Sequence, residues 1–194
     1  LKCPTVIIDR PIAGFDAVHS DYTEGGKILA EYALSLGHKK VGLLSGPSEI
    51  EGARRRREGF INTAAAQPDK IEIVWDVEVP FSTDLNQNAI SQLKQNTASL
   101  IVAADDLIAV GAISALNELG LKVPEDVSVT GFDNIPWTTV VTPKLTTVNQ
   151  PIAEMGLQAV ELLIGKITNP EQDIRTVVLD VNLVERASVK SMID

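Results

Sequence analysis

What most restricts the fold of this 194-residue chain is an alternation that repeats along it: short, nearly all-apolar runs separated by longer stretches with apolar residues at helical spacing. Val6-Ile7-Ile8 comes first, then Tyr22 to Leu36, where Ile28, Leu29, Tyr32, Ala33 and Leu36 fall on one helical face. Asp21 and Glu24 can satisfy the free amides at that helix start, and Gly37 supplies a left-handed stop. The pattern continues as strand Val41 to Leu44 and helix Ala53 to Ala65, then strand Ile71 to Val77 and helix Leu85 to Gln95. Strand Leu100 to Ala104, helix Leu107 to Leu119 closed by Gly120, and strand Val127 to Gly131 complete it. Strands apolar on both faces must be covered on both. The pattern therefore predicts doubly wound α/β architecture, a parallel sheet with right-handed crossovers. The later pieces, Leu145 to Val148, a helix over Pro151 to Ile164 and a strand within Thr176 to Leu183, break the alternation. One of them could cross back to another sheet.

With 44% hydrophobic and 22% charged residues, a chain of this length can bury roughly 70% of its unfolded surface, as a soluble globular protein. No Gly/Ser/Pro-rich tract marks a linker, so any domain boundary is a compact hinge. The net charge of -9 repels a phosphate backbone and argues against DNA binding by this stretch itself. Cys3 is the single cysteine, which excludes an internal disulfide and fits a reducing compartment. No apolar run is long enough to span a bilayer, and Leu1 to Arg10 lacks the pattern of a secretory signal.

Ligands of open parallel sheets sit beyond the carboxyl ends of the strands. The polar residues there are Asp9 and Arg10, Ser45, Asp105 and Asp106, and Asp133 and Asn134, with Phe81 in the loop after another strand. Carboxylates accept from pairs of hydroxyls, a guanidinium donates as a rigid fork, and an aromatic face covers the C–H side of a sugar. Each has a structural alternative: Asp106 as a helix cap shared with Asp105, Asp133 as a turn residue, and Phe81 as core. A polyphosphate fits poorly, since Gly25-Gly26-Lys27 lacks the leading glycine and following hydroxyl of a phosphate-binding loop. Arg54-Arg55-Arg56-Arg57 cannot form one basic stripe, because successive helical residues point about 100° apart. At least one must face inward, and Arg56 shares a face with Phe60. His38, after Gly37, is expected to serve the helix carboxyl end, and His19 reads as loop or hinge. No spaced ligand set suggests a metal, and no Gly-x-Ser-x-Gly or His-Glu-x-x-His motif suggests an enzyme.

Taken in order, these motifs resemble the effector-binding core of the lactose/galactose repressor family, whose fold is that of type I periplasmic sugar-binding proteins. The resemblance runs from Val6-Ile7-Ile8-Asp9-Arg10 through Leu36-Gly37-His38-Lys39-Lys40-Val41, Ser45-Gly46-Pro47, Arg54 to Phe60 and Ala104-Asp105-Asp106-Leu107-Ile108-Ala109. It continues with Val123-Pro124-Glu125-Asp126-Val127, Gly131-Phe132-Asp133 and Pro143-Lys144-Leu145-Thr146-Thr147-Val148. It implies two doubly wound parallel-sheet lobes joined by three crossovers, the first lobe incomplete here: residues 1–20 with 150–177, and residues 21–149 with 178–194. Arg56 then falls where the family grips its ligand, Asp133 where hydroxyls are received, Asp105 at a position often held by asparagine, and Phe81 at a stacking position. Asp9 would contribute from the other lobe, and Gln150 lies near a crossover. The partners implied are a sugar or sugar derivative, a second copy in a homodimer, and operator DNA through a helix-turn-helix domain absent from these residues. Neither cofactor nor metal is implied, and the location is cytoplasmic. A periplasmic sugar-binding protein shares this fold and pocket chemistry and is the alternative; an α/β enzyme acting on sugars or phosphates is a second.

Overall fold

The computed structural model describes residues 3–193, which form two compact units. The smaller comprises the chain up to Asp21 together with Gln150–Val181. Its strands β1 (Val6–Ile8), β2 (Asp16–Ser20) and β8 (Thr176–Leu179) form a parallel sheet in the order β1-β2-β8. Helix α6 (Ile152–Thr168) sets Met155, Ala159 and Leu162 against Val18 of the central strand. Strand β2 is absent from the apolar pattern, because its sequence Asp-Ala-Val-His-Ser looks like loop. All five residues are nevertheless buried. Asp16 is tied down by the Arg175 amide at 2.6 Å and the Lys166 ammonium at 3.5 Å, and His19 stands in the strand rather than in a hinge.

The larger unit comprises Tyr22–Asn149 and the chain from Asn182. It contains α1 (Tyr22–Ser35), β3 (Lys40–Ser45), α2 (Glu51–Ala65), β4 (Glu72–Glu78), α3 (Gln87–Gln95), β5 (Leu100–Ala103) and α4 (Asp106–Glu118). After these come β6 (Ser128–Asp133), the short α5 (Trp137–Val140), β7 (Thr146–Asn149) and β9 (Asn182–Val184). Its six strands run β4-β3-β5-β6-β7-β9. All neighbours are parallel except β9, which pairs antiparallel with β7. The strands and helices expected between Val41 and Val148 therefore assemble around a parallel sheet, and the alternation breaks late because α6 and β8 cross back to the smaller unit's sheet before β9 returns as an antiparallel edge. Leu44, Ile101 and Val129 of the sheet pack with Ile108, Ile113 and Leu116 of α4 in the main core.

The chain passes between the units at 21/22, 149/150 and 181/182. The last passage comes four residues later than the expected 177/178, because Val177, Val178 and Leu179 stay paired with Val18, His19 and Ser20 of β2. His38 also differs from expectation. Gly37 does end α1 with a φ of 76°, but the buried imidazole bonds Ser99 Oγ and the Lys190 carbonyl, each at 3.0 Å, and so holds the C-terminal tail.

Candidate functional site

Arg56 is brought to the carboxyl edge of the larger sheet by the packing of α1 on α2. A Cβ on Gly26 would overlap the Arg56 carbonyl, and one on Gly59 would overlap the Thr23 carbonyl. The two backbones thus touch at reciprocal glycines, an approach that any side chain would prevent. That contact fixes which way each arginine of α2 points. Arg54 and Arg55 turn outward to Glu58 at 3.0 Å and Glu51 at 2.6 Å, and Arg57 reaches Asp76 at 2.5 Å. Asp76 also accepts from Ser45 Oγ. Arg56 alone of the four turns in and is buried.

The Arg56 guanidinium spans two strand tips. Its Nη1 donates to the Ala104 carbonyl at 2.7 Å, just past β5, and its Nη2 lies 3.2 Å from Asp133 Oδ1, the last residue of β6. Aromatic rings flank it, with the Phe132 centroid at 3.9 Å and the Tyr22 centroid at 5.2 Å. A ring quadrupole attracts a cation most where water is excluded. Its buried Nε has no hydrogen-bond partner among the described residues. Asp133 keeps a quarter of its side chain exposed, so this ion pair has a dry end and an open one.

Two more carboxyls stand beside the pair, and the capping that the sequence reading shared between them falls to Asp105. Asp105 is the cap of α4, its Oδ1 accepting from the Ile108 amide at 2.7 Å. Burial raises its pKa to about 6 against the opposing effect of that amide; nearby Asp133 raises it further and Arg56 lowers it. Asp106, expected to be the cap, is fully buried and turned away from the helix amides. Its Oδ1 accepts from Thr147 Oγ1 at 2.6 Å and its Oδ2 from the Ile135 amide at 2.8 Å. Burial, only partly offset by these two donors, pushes it up to about 7.

Asp133 and Asn134 have φ of 109° and 60°. Two successive left-handed non-glycine residues are costly unless their surroundings hold them. The Asn134 side chain does so: its Oδ1 accepts from Arg186 Nη2 at 2.7 Å, and its Nδ2 donates to Asn149 Oδ1 at 2.9 Å. Asn149 in turn donates to Asn182 Oδ1 at 3.3 Å. Arg186 is fixed by Nη1 donating to the Leu145 carbonyl at 2.7 Å and by its amide donating to Thr146 Oγ1. Sequence reasoning reached Asn134 but not Asn149, Asn182 or Arg186, nor Tyr22 and Phe132 as the rings about Arg56. No spacing encodes those meetings.

The structure thus gathers Arg56, Asp105 and Asp133. Phe81 is half-buried on the main core, its ring so close to Gly46 that a Cβ there would come within 2.6 Å. Asp9 belongs to the smaller unit, at a φ of 72°, its amide donating to the Val18 carbonyl at 2.9 Å. Among the described residues no group of three or more His, Cys, Asp or Glu is placed to hold a metal, and no helix is long and apolar enough to cross a membrane.

Comparison with known proteins places the chain in a family. The family model for the periplasmic binding protein-like domain matches residues 30–189. The HTH-type transcriptional repressor PurR of Edwardsiella ictaluri is 36% identical over 195 residues, covering 96% of this chain and 56% of that protein. This chain spans about half the length of the curated relatives it matches. A LacI family transcriptional regulator of Enterococcus faecalis, solved with bound ribose, superposes with a TM-score of 0.89 at 30% identity, over 98% of this chain and 70% of that one. A periplasmic binding protein/LacI transcriptional regulator of Alkaliphilus metalliredigens, complexed with D-xylulofuranose, gives 0.83 at 28% identity, over 97% and 71%. The chain belongs to the periplasmic binding protein-like domain family and, within it, to the LacI family of transcriptional regulators.

Proposed function

We propose that this chain is the effector-binding core of a sugar-responsive transcriptional repressor, in which Arg56 and Asp133 hold a small polyhydroxylated molecule. The observation that carries this reading is the Arg56–Asp133 pair at the carboxyl edge of the parallel sheet, buried at the guanidinium and open at the carboxylate. A carboxylate oriented by a fixed guanidinium accepts hydroxyls in a defined direction, and the loops of such an edge converge on one volume. Asp105 supplies a second acceptor beside it and Phe81 a ring, all within the larger unit. The regulators of similar structure that were solved with ribose and with D-xylulofuranose support a sugar as the ligand class. That the matched relatives are repressors and regulators favours a regulatory core over a transport protein or an enzyme.

In the full-length protein, a cytoplasmic homodimer, a helix-turn-helix domain outside this chain reads the operator. An effector with unequal affinity for two states of the protein shifts the population between DNA-competent and incompetent forms. The test is calorimetric titration of the full-length protein with ribose, other pentoses, hexoses and their phosphates, repeated on Arg56→Ala and Asp133→Ala. At least one sugar should bind the wild type, and each substitution should weaken it more than about tenfold, roughly 1.4 kcal/mol. Unchanged affinity in both variants would remove the site, and a response to phosphates alone would replace the neutral-sugar class.

A further inference from the structure

Asp133 does not stand alone at the sheet edge. It is in register with Asn149 of β7, and Asn149 is in register with Asn182 of β9, so the three occupy one rung across three strands. Two of these residues mark where the chain changes units: it leaves the larger unit after Asn149 and re-enters it at Asn182. Backbone register alone would make this proximity only. What joins the rung is a file of side-chain amides running from Asn134 to Asn149 and from Asn149 to Asn182, with Arg186 bonded to the Asn134 oxygen.

We propose that Asn134 is a positioning residue that couples the state of the Asp133 carboxylate to both chain passages, at 149/150 and 181/182. This rests on Asp133 being the group that meets the effector. Three observations fit a coupling element rather than a simple turn. Asn134 gives its shorter side-chain bonds to tertiary partners: the oxygen receives Arg186 at 2.7 Å, against 3.4 Å for the local Thr138 hydroxyl, and the nitrogen is given to Asn149 at 2.9 Å. The backbone it holds is left-handed at two successive positions, so Asp133 cannot rotate without moving Asn134. The next amide, that of Ile135, is pinned to Asp106, itself buried and bonded to Thr147 of β7, so the loop is clamped to the same strand from a second side. A change in the direction of Asp133 therefore has a stiff path to β7 and β9.

Spatial continuity is not coupling. Coupling is shown by non-additivity between two changes. The experiment is hydrogen exchange of the full-length protein read at the amides of residues 148–150 and 182–184, with Asp133→Asn as the perturbation, so that no ligand is needed. Asp133→Asn removes the charge facing Arg56 and should speed exchange at both segments by about tenfold, the scale of a local opening. In an Asn134→Ala background the same substitution should add less than about twofold, because the link has already been cut. Asn182→Ala, at an exposed position, provides a second variant free of any folding penalty at the turn: Asp133→Asn should then act at 148–150 as in the wild type but more weakly at 182–184, where the Arg186 link to Asn134 remains. Equal effects of Asp133→Asn with and without Asn134, or no effect at either segment, would overturn the proposal even if a sugar binds. Conversely, a full-length protein that binds no sugar yet shows the predicted non-additivity would overturn only the functional reading.

Discussion

The backbone of Gly26 lies directly on the carbonyl of Arg56, with no room between them for a methyl group. The orientation of the buried guanidinium thus depends on a residue two elements away in sequence that has no polar side chain of its own. Gly26→Ala forces α1 and α2 apart, and overpacking of this kind costs about 1–3 kcal/mol, or a fall of several degrees in Tm. Gly156 in α6 is the internal contrast, since a Cβ there meets nothing within 4 Å. Gly156→Ala should be neutral or stabilising by up to about 1 kcal/mol through helix propensity alone. Thermal unfolding of the two variants side by side decides the matter. Equal Tm values would mean that the helix contact is not the constraint described.

Arginine at 56 should not be replaceable by lysine, although the charge is kept. Two nitrogens of one plane reach the Ala104 carbonyl and Asp133 while the flat faces meet Phe132 and Tyr22, and a single ammonium cannot reproduce that fork. Arg56→Lys is expected to lower stability in urea unfolding by about 1–3 kcal/mol. Arg55→Lys, whose partner Glu51 is also exposed, should change it by less than about 0.5 kcal/mol. Similar losses at both positions would show that burial of Arg56 is energetically unimportant.

How far the sequence carried this picture depends on which signal each residue had. Strands such as Leu100–Ala103 are buried on both faces and announce themselves. Asp16–Ser20, just as buried, is hidden because its one charged residue, Asp16, is satisfied by chain 150 or more residues away, through Arg175 and Lys166. The four arginines could be reasoned to point one side chain inward from helical geometry alone. Adjacent Asp105 and Asp106 could not be sorted, because either can cap a helix, and the choice was made by Thr147 and Ile135 arriving from other elements. The third passage was misplaced for a similar reason: the end of β8 is set by its partner β2, and β2 itself was not visible.

Asp105 should make stability fall as pH rises. Its pKa is about 6 in the folded chain against an ordinary 3.8, so between those values the folded state holds the proton more tightly than the unfolded state does. Stability is then fully present below about 4 and is lost as pH climbs through 6. At about 1.4 kcal/mol per tenfold change in acid strength, the loss is on the order of 3 kcal/mol. Asp105→Asn keeps an oxygen for the Ile108 amide and removes the titration. Relative to wild type, the variant should therefore gain on the order of 3 kcal/mol between about pH 4 and pH 7 in urea unfolding. Parallel pH profiles for the two proteins would show that the carboxyl is not held protonated. Asp106, raised to about 7, acts in the same direction and continues the slope in both.

His38 should act in the opposite sense, on a part of the molecule distant in sequence from the site. Burial holds its pKa below the ordinary 6.5, only partly countered by the Lys190 carbonyl, and the Lys190 ammonium lowers it further. The folded state therefore binds a proton less readily than the unfolded one. The stability His38 supplies is complete above about 6.5 and declines as pH falls below it. Its bond to the Lys190 carbonyl anchors a tail also held by the Met192 amide on the Leu36 carbonyl and by the Lys190 amide on Ser128 Oγ. Protonation should loosen that tail first, because the charged ring is unfavourable in the dry site between Ser99 and Lys190. Hydrogen exchange at residues 190–192, corrected for intrinsic rates, should therefore quicken in the wild type between about pH 7.5 and about 5.5. In His38→Asn the same amides should start less protected and show no such pH dependence. If protection is equal at both pH values in the wild type, the imidazole does not govern tail docking, and the buried contact is only packing.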